Sequence, residues 1–146
     1  MAPNSTQPAT HASATWTDGE CFTSEGSSGH SVAFDSDRAT NRAPGPMEMV
    51  LRSLCACSAT DLVIVLHKKR QEFTGIRVSA EGERATVPPQ VYTKIHMRYE
   101  VTGHGVQREA VQRAVELSQE KYCSVFAMLR HTASTSYEIV LQEAAP

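Results

Sequence analysis

Residues Met49 to Leu66 form the most apolar stretch of the chain, and charge enters it only at Arg52 and Asp61. A membrane-crossing helix needs about 20 nearly uncharged apolar residues, so this segment is expected to be a long buried central helix instead. Pro44-Gly45-Pro46 stand just before it. Proline is excluded from a helix interior but is preorganised for a first turn. The helical pattern runs from Met47 to about Arg70 and closes on Lys68-Lys69-Arg70, where positive charge complements the helix dipole. The other elements must therefore wrap this helix.

On its N-terminal side, Met1 to Thr15 is rich in Ser, Thr, Ala and Pro, with no basic region leading into an apolar run. It is expected to be a flexible tail, residues 1–14, and not a secretory signal. Trp16, Phe22 and Val32-Ala33-Phe34, punctuated by Gly19, Gly26 and Gly29, read as strands. Asp35 to Pro46 is a polar connector.

Beyond the helix the period changes. Phe73 to Ala85 alternates loosely. From Val91 to Val101 the alternation is clear, with Val91, Thr93, Ile95, Met97 and Tyr99 on one face and Tyr92, Lys94, His96, Arg98 and Glu100 on the other. An antiparallel hairpin is expected. Gln107 to about Tyr122 returns to helical spacing, with Val111, Ala114, Val115, Leu117 and Ser118 near one stripe. Cys123 to Arg130 reads as a further helical stretch and Tyr137 to Leu141 as a final strand. The order specifies an α+β fold in a single domain, residues 15–146.

Lys and Arg total 14 against 16 Asp and Glu, a formal charge of −2. A nucleic-acid or anionic-membrane binder needs a basic excess, so neither class of partner is expected. With no leader in view, the cytoplasm is the expected compartment. There the four cysteines are free, metal-bound or redox-active rather than structural disulfides.

At about 100° per residue, Val50, Ser53, Leu54, Cys57, Asp61 and Ile64 share one helix face, while Cys55 points nearly the opposite way with Leu51, Leu62 and Leu66. Cys55 and Cys57 therefore cannot clamp one ligand together. For Cys55 the expectation is a small buried hydrophobe. Cys57 differs because Asp61 lies one turn away, and a buried Asp requires a partner. That partner is either the thiol environment or simply a backbone group or arginine. Cys57 lies about three turns inside the helix, so a reactive thiolate there needs a cation brought from elsewhere.

Gly45-Pro46-Met47-Glu48-Met49-Val50, running into Cys57-Ser58-Ala59-Thr60-Asp61-Leu62-Val63, resembles the first helix of the OsmC/Ohr family. Arg113-Ala114-Val115-Glu116-Leu117-Ser118 and Glu120-Lys121-Tyr122-Cys123-Ser124-Val125 resemble its second helical segment. Gly26, Gly29, His30 and Ser31, Thr93-Lys94-Ile95-His96 and Ser136-Tyr137-Glu138 extend the likeness, which is nearest to the YhfA-like branch. The resemblance implies an intertwined homodimer with antiparallel sheets packed around the central helix. It also implies a thiol-dependent peroxidase acting on organic hydroperoxides without metal or organic cofactor.

In that scheme Cys57 is peroxidatic and becomes a sulfenic acid. Cys123 resolves it to a disulfide, which a small thiol or a lipoyl-type dithiol reduces. Glu48 matches the acid that holds the family's catalytic arginine. It lies nine residues before Cys57, about 13 Å along a straight helix and half a turn out of phase. It is therefore expected to act from the partner subunit or from an unwound helix start, beside the simpler reading of an acid favouring the dipole. The family's hairpin arginine is absent from Trp16-Thr17-Asp18-Gly19-Glu20; Arg42 and Arg38 replace it by location.

Two other readings stand beside this one. The first is a non-catalytic OsmC-fold protein that binds a ligand or senses redox state. The second is a zinc site of Cys55, Cys57, Cys123 and a histidine such as His30 or His131, which helical phase opposes. Cys21 lies outside both motifs and reads as a strand residue.

Overall fold

The computed structural model describes residues 6–146, which fall into two compact units, one ending at Met49 and the other spanning Val50–Pro146. In the first unit, β1 (Ala12–Asp18), β2 (Cys21–Gly26) and β3 (Ser31–Asp35) form an antiparallel sheet in that order. β1 begins inside the segment expected to be tail, because Ala12 to Ala14 pair with Gly26 to Ser24. Residues 1–5 of that expected tail lie outside the described residues. Trp16, Phe22 and Phe34 line up across the three strands as an aromatic cross-strand row. Gly19, at φ +54°, supplies the left-handed conformation the first turn needs.

After β3 the connector folds around Asp35. Its carboxylate accepts from the backbone N–H of Asp37 at 2.9 Å, from Thr40 Oγ1 at 2.6 Å and from the N–H of Arg42 at 2.9 Å. These bonds hold the carboxyl down at about 2, the Thr40 hydroxyl contributing most.

Helix α1 (Pro46–Lys68) carries the apolar stretch. By length and composition alone it could cross a membrane, yet Leu54, Ser58, Leu62, Val65 and Leu66 are buried inside the protein. Burial follows this one stripe, whereas the sequence is apolar around most of the helix. Val63 and Ile64 remain 37% and 47% exposed, so the expected buried helix is buried along one side only in a single chain. The helix ends two residues before Arg70, which takes φ +55° while its N–H bonds His67 O and the Gln71 N–H bonds Leu66 O. This is a Schellman closure.

In the second unit, β4 (Glu72–Arg84) and β5 (Tyr92–His104) form the expected antiparallel hairpin. Ile95, Met97, Tyr99 and Val101 of β5 are buried, while Lys94 and Arg98 are exposed. The register shifts at Thr93, which has no partner between Glu83↔Lys94 and Arg84↔Tyr92. That bulge reverses the alternation below it, so Tyr92 is buried and Val91 and Thr93 are exposed, opposite to the simple reading.

β6 (Ser134–Glu143) lies on the other side of β5 and runs parallel to it. The expected antiparallel sheets are thus corrected: the second sheet is mixed. Between β5 and β6 the chain passes through α2 (Arg108–Leu117) and α3 (Ser124–Leu129), a crossover long enough to return to the start of β5. Ala110, Val111, Ala114 and Val115 of α2 are buried, as the helical spacing required.

Candidate functional site

The second expected helix is interrupted. After Leu117 the backbone widens into a π-helical turn, Ser118–Tyr122, and the Cys123 N–H bonds Ser118 O at 2.8 Å. Such turns insert one extra residue into a helix and recur where a side chain must be re-aimed. Here the turn sets Cys123 at the start of α3, where its sulfur accepts from the Phe126 N–H at 3.4 Å.

The turn is tied to its surroundings by two side chains. Ser118 Oγ donates to Asp61 Oδ2 at 2.8 Å, and Gln119 Nε2 donates to Tyr99 Oη at 3.1 Å. Ser58, one residue after Cys57, places its hydroxyl 3.6 Å from Cys123 Sγ. As a result the sulfurs of Cys57 and Cys123 and a carboxylate oxygen of Asp61 lie within 4.8 Å of one another. The structure therefore brings together the two cysteines that the sequence motifs singled out, with Asp61 beside them.

The environment of each group follows from its depth. Cys123 is only 3% exposed, and burial pushes its thiol up more than the Phe126 N–H and Ser58 hydroxyl pull it down. Asp61 is half-buried and also raised by desolvation, against the opposing hydrogen bond from Ser118. Cys57 is half-buried and on the flank of the buried stripe, so its sulfur is the more accessible of the pair. Tyr99, buried behind Gln119, is pushed up to about 12 by desolvation and stays a neutral donor and acceptor. A cleft of about 430 Å³ opens at Asp61, with Ile64, Val65, Leu117 and Tyr122 as apolar walls and Lys68 and Lys69 at its rim.

The remaining expected site residues stand elsewhere. Arg42 belongs to the first unit, where its guanidinium bonds Asp18 Oδ2 at 3.0 Å and lies 3.9 Å from Asp35 Oδ2. Glu48 sits in the first turn of α1, which is fully wound there, so the unwound helix start is not found. Cys55 is half-buried and absent from the thiol cluster, and Cys21 opens β2 as expected of a strand residue. Sequence reasoning missed Ser58 and Ser118 as partners of the site. Their signal was available: both are polar residues at positions that pack inward, and a buried hydroxyl needs a hydrogen bond. Among the described residues no buried side-chain polar atom lacks one.

Residues 39–138 match the family described as OsmC-like protein. Protein YhfA of Escherichia coli (strain K12) is 42% identical over 127 residues, covering 86% of this chain and 94% of the relative. Among solved structures, an OsmC-like protein from Mycoplasma pneumoniae superposes with a TM-score of 0.81 at 14% identity, covering 93% of this chain and 99% of that one. The organic hydroperoxide resistance protein OhrB of Bacillus subtilis gives 0.61 at 18% identity, covering 90% and 97%. At these identities the two structures establish likeness of fold.

Proposed function

The chain belongs to the OsmC family, and from that premise we propose that it is a thiol-dependent peroxidase that reduces organic hydroperoxides. The observation that carries this reading is the approach of Cys57 Sγ, Cys123 Sγ and an Asp61 oxygen to within 4.8 Å of one another. The less buried partner, Cys57, attacks the outer peroxide oxygen as a thiolate. The O–O bond breaks, the alcohol leaves with a proton, and Cys57 becomes a sulfenic acid. The Cys123 sulfur then displaces water from it and forms the disulfide, which a small thiol or lipoyl-type dithiol reduces. The apolar cleft at Asp61 suits an organic rather than an inorganic peroxide.

The protein would act as a homodimer in a reducing cytoplasm, with the exposed Val63 and Ile64 covered by a second copy. Glu48 would act from that second copy, and Arg42 is proposed as the activating cation by its place in the connector. The engagement of Arg42 by Asp18 and Asp35, and the raised Cys123 thiol, favour a second reading: a non-catalytic ligand-binding protein on the same fold.

Treating reduced protein with one equivalent of cumene hydroperoxide separates the two. Peptide mapping should find a rapid Cys57–Cys123 disulfide, absent in Cys57→Ser. Cys123→Ser should instead accumulate a sulfenic acid at Cys57 that dimedone traps. Oxidation of Cys57 no faster than that of free cysteine would end the peroxidase reading.

A further inference from the structure

We propose that Cys57, Asp61 and Cys123 together form a binding site for a soft divalent cation, zinc foremost, that exists only while both cysteines are reduced. This goes beyond the peroxidase reading and does not depend on it. The three potential ligand atoms already lie within 4.8 Å of one another. Zinc takes sulfur at about 2.3 Å and carboxylate oxygen at about 2.0–2.2 Å, so two sulfurs on one tetrahedral zinc stand about 3.8 Å apart. Closing the cluster onto a metal thus requires side-chain shifts of about 1 Å or less.

The supports around these atoms are those a metal site needs. Ser118 holds Asp61 Oδ2 at 2.8 Å and Ser58 lies 3.6 Å from Cys123 Sγ, and both serines are fully buried. Hydrogen bonds of this kind orient ligands, and their loss commonly lowers metal affinity about 10- to 100-fold. Cys123 closes the inner side of the cluster, while the half-buried Cys57 and Asp61 leave the outer side for a water as fourth ligand. Two sulfurs with one carboxylate select zinc or cadmium over magnesium and calcium.

Metal binding sends the two thiol protons to solvent and moves no electrons. Oxidation of the pair, by a hydroperoxide or by diamide, transfers two electrons and two protons to the oxidant and joins the sulfurs. Two of the three ligands are then lost. Zinc and oxidant therefore compete for the same atoms, and zinc shields Cys57 from oxidation.

Zinc titration of the reduced chain against a chromophoric chelator tests the site, with cadmium titration followed by ultraviolet thiolate-to-metal charge transfer. One metal per chain is expected. Ser118→Ala should weaken zinc about 10- to 100-fold and Asp61→Asn, which replaces a ligand, at least as much; Cys123→Ser should abolish the cadmium band, and Cys55→Ser should leave both titrations unchanged. Diamide-oxidised wild-type protein should bind neither metal, an arm that requires no variant to fold. The proposal is overturned if the reduced protein takes up no stoichiometric zinc, if the oxidised protein binds equally, or if Cys123→Ser keeps the band. No peroxide enters these titrations, so inactivity toward hydroperoxides would leave the result standing.

Discussion

Ser118 Oγ donates a 2.8 Å hydrogen bond to Asp61 Oδ2, joining the π-helical turn that ends at Cys123 to the helix that carries Cys57. Without it, a half-buried carboxylate would lose the Ser118 donor, and the turn would lose one of its two side-chain ties. The geometry of the thiol pair therefore depends on two groups that undergo no redox chemistry themselves.

Asp61 makes a pH prediction. Desolvation raises its carboxyl above the ordinary value of about 3.9. A raised acid favours the folded state fully below the unfolded value, and that contribution is lost as pH rises through the folded value. Asp61→Asn does not titrate and keeps an oxygen for Ser118. Relative to wild type it should gain stability as pH rises from about 3.9, then level off. Urea midpoints measured in parallel check this; a pH-independent difference would contradict the burial argument.

Gly103 is expected to reject a side chain. A Cβ there would meet Glu72 O, Val106 Cγ2 and Phe73 Cα, at the end of the β4–β5 ladder. Two of these are backbone atoms and cannot step aside. Gly103→Ala should cost about 1–3 kcal/mol through overpacking, read as a lower urea midpoint with unchanged slope.

The exposed side of α1 predicts the assembly. Val63 and Ile64 are large apolar residues left open to solvent on a helix otherwise suited to burial. Ile64→Glu, or Val63→Glu, should convert a dimer to a monomer in sedimentation equilibrium. A wild-type protein that sediments as a monomer at micromolar concentration would remove the homodimer from the proposal.

Asp35 governs the acid response of the first unit. Its carboxyl sits at about 2, held down chiefly by the Thr40 hydroxyl and the Arg42 N–H. A depressed acid contributes stability above the unfolded value of about 3.9, and that contribution disappears as pH falls through about 2. Asp35→Asn should be less stable than wild type at neutral pH and should converge with it in strong acid. Trp16, in β1 and the only tryptophan, reports this locally by fluorescence.

Much of this architecture was legible from residue order. Periodicity located α1, the β4–β5 hairpin and the buried face of α2, because those patterns depend on near neighbours along one element. The motifs around Cys57 and Cys123 also marked the thiol pair. Helical phase separated Cys55 from Cys57, as found. Local pattern failed where a single residue changed the register. The unpaired Thr93 put Tyr92 into the core, and periodicity carries no sign of such a bulge until the opposite strand is aligned. The direction of β6 was likewise invisible, since a strand's alternation reads the same whether its neighbour runs parallel or antiparallel.

By itself, then, the sequence determined that this chain is an α+β protein built on one long apolar helix, with two cysteines set in the segments that matter. Tertiary structure decided what surrounds those cysteines. Residues about sixty positions apart meet only after the chain folds, and the meeting is held by Ser118 on Asp61 and Ser58 beside Cys123. A hydrogen bond between distant segments leaves no periodic trace in either one, so only the folded chain could bring Asp61 and the two sulfurs together.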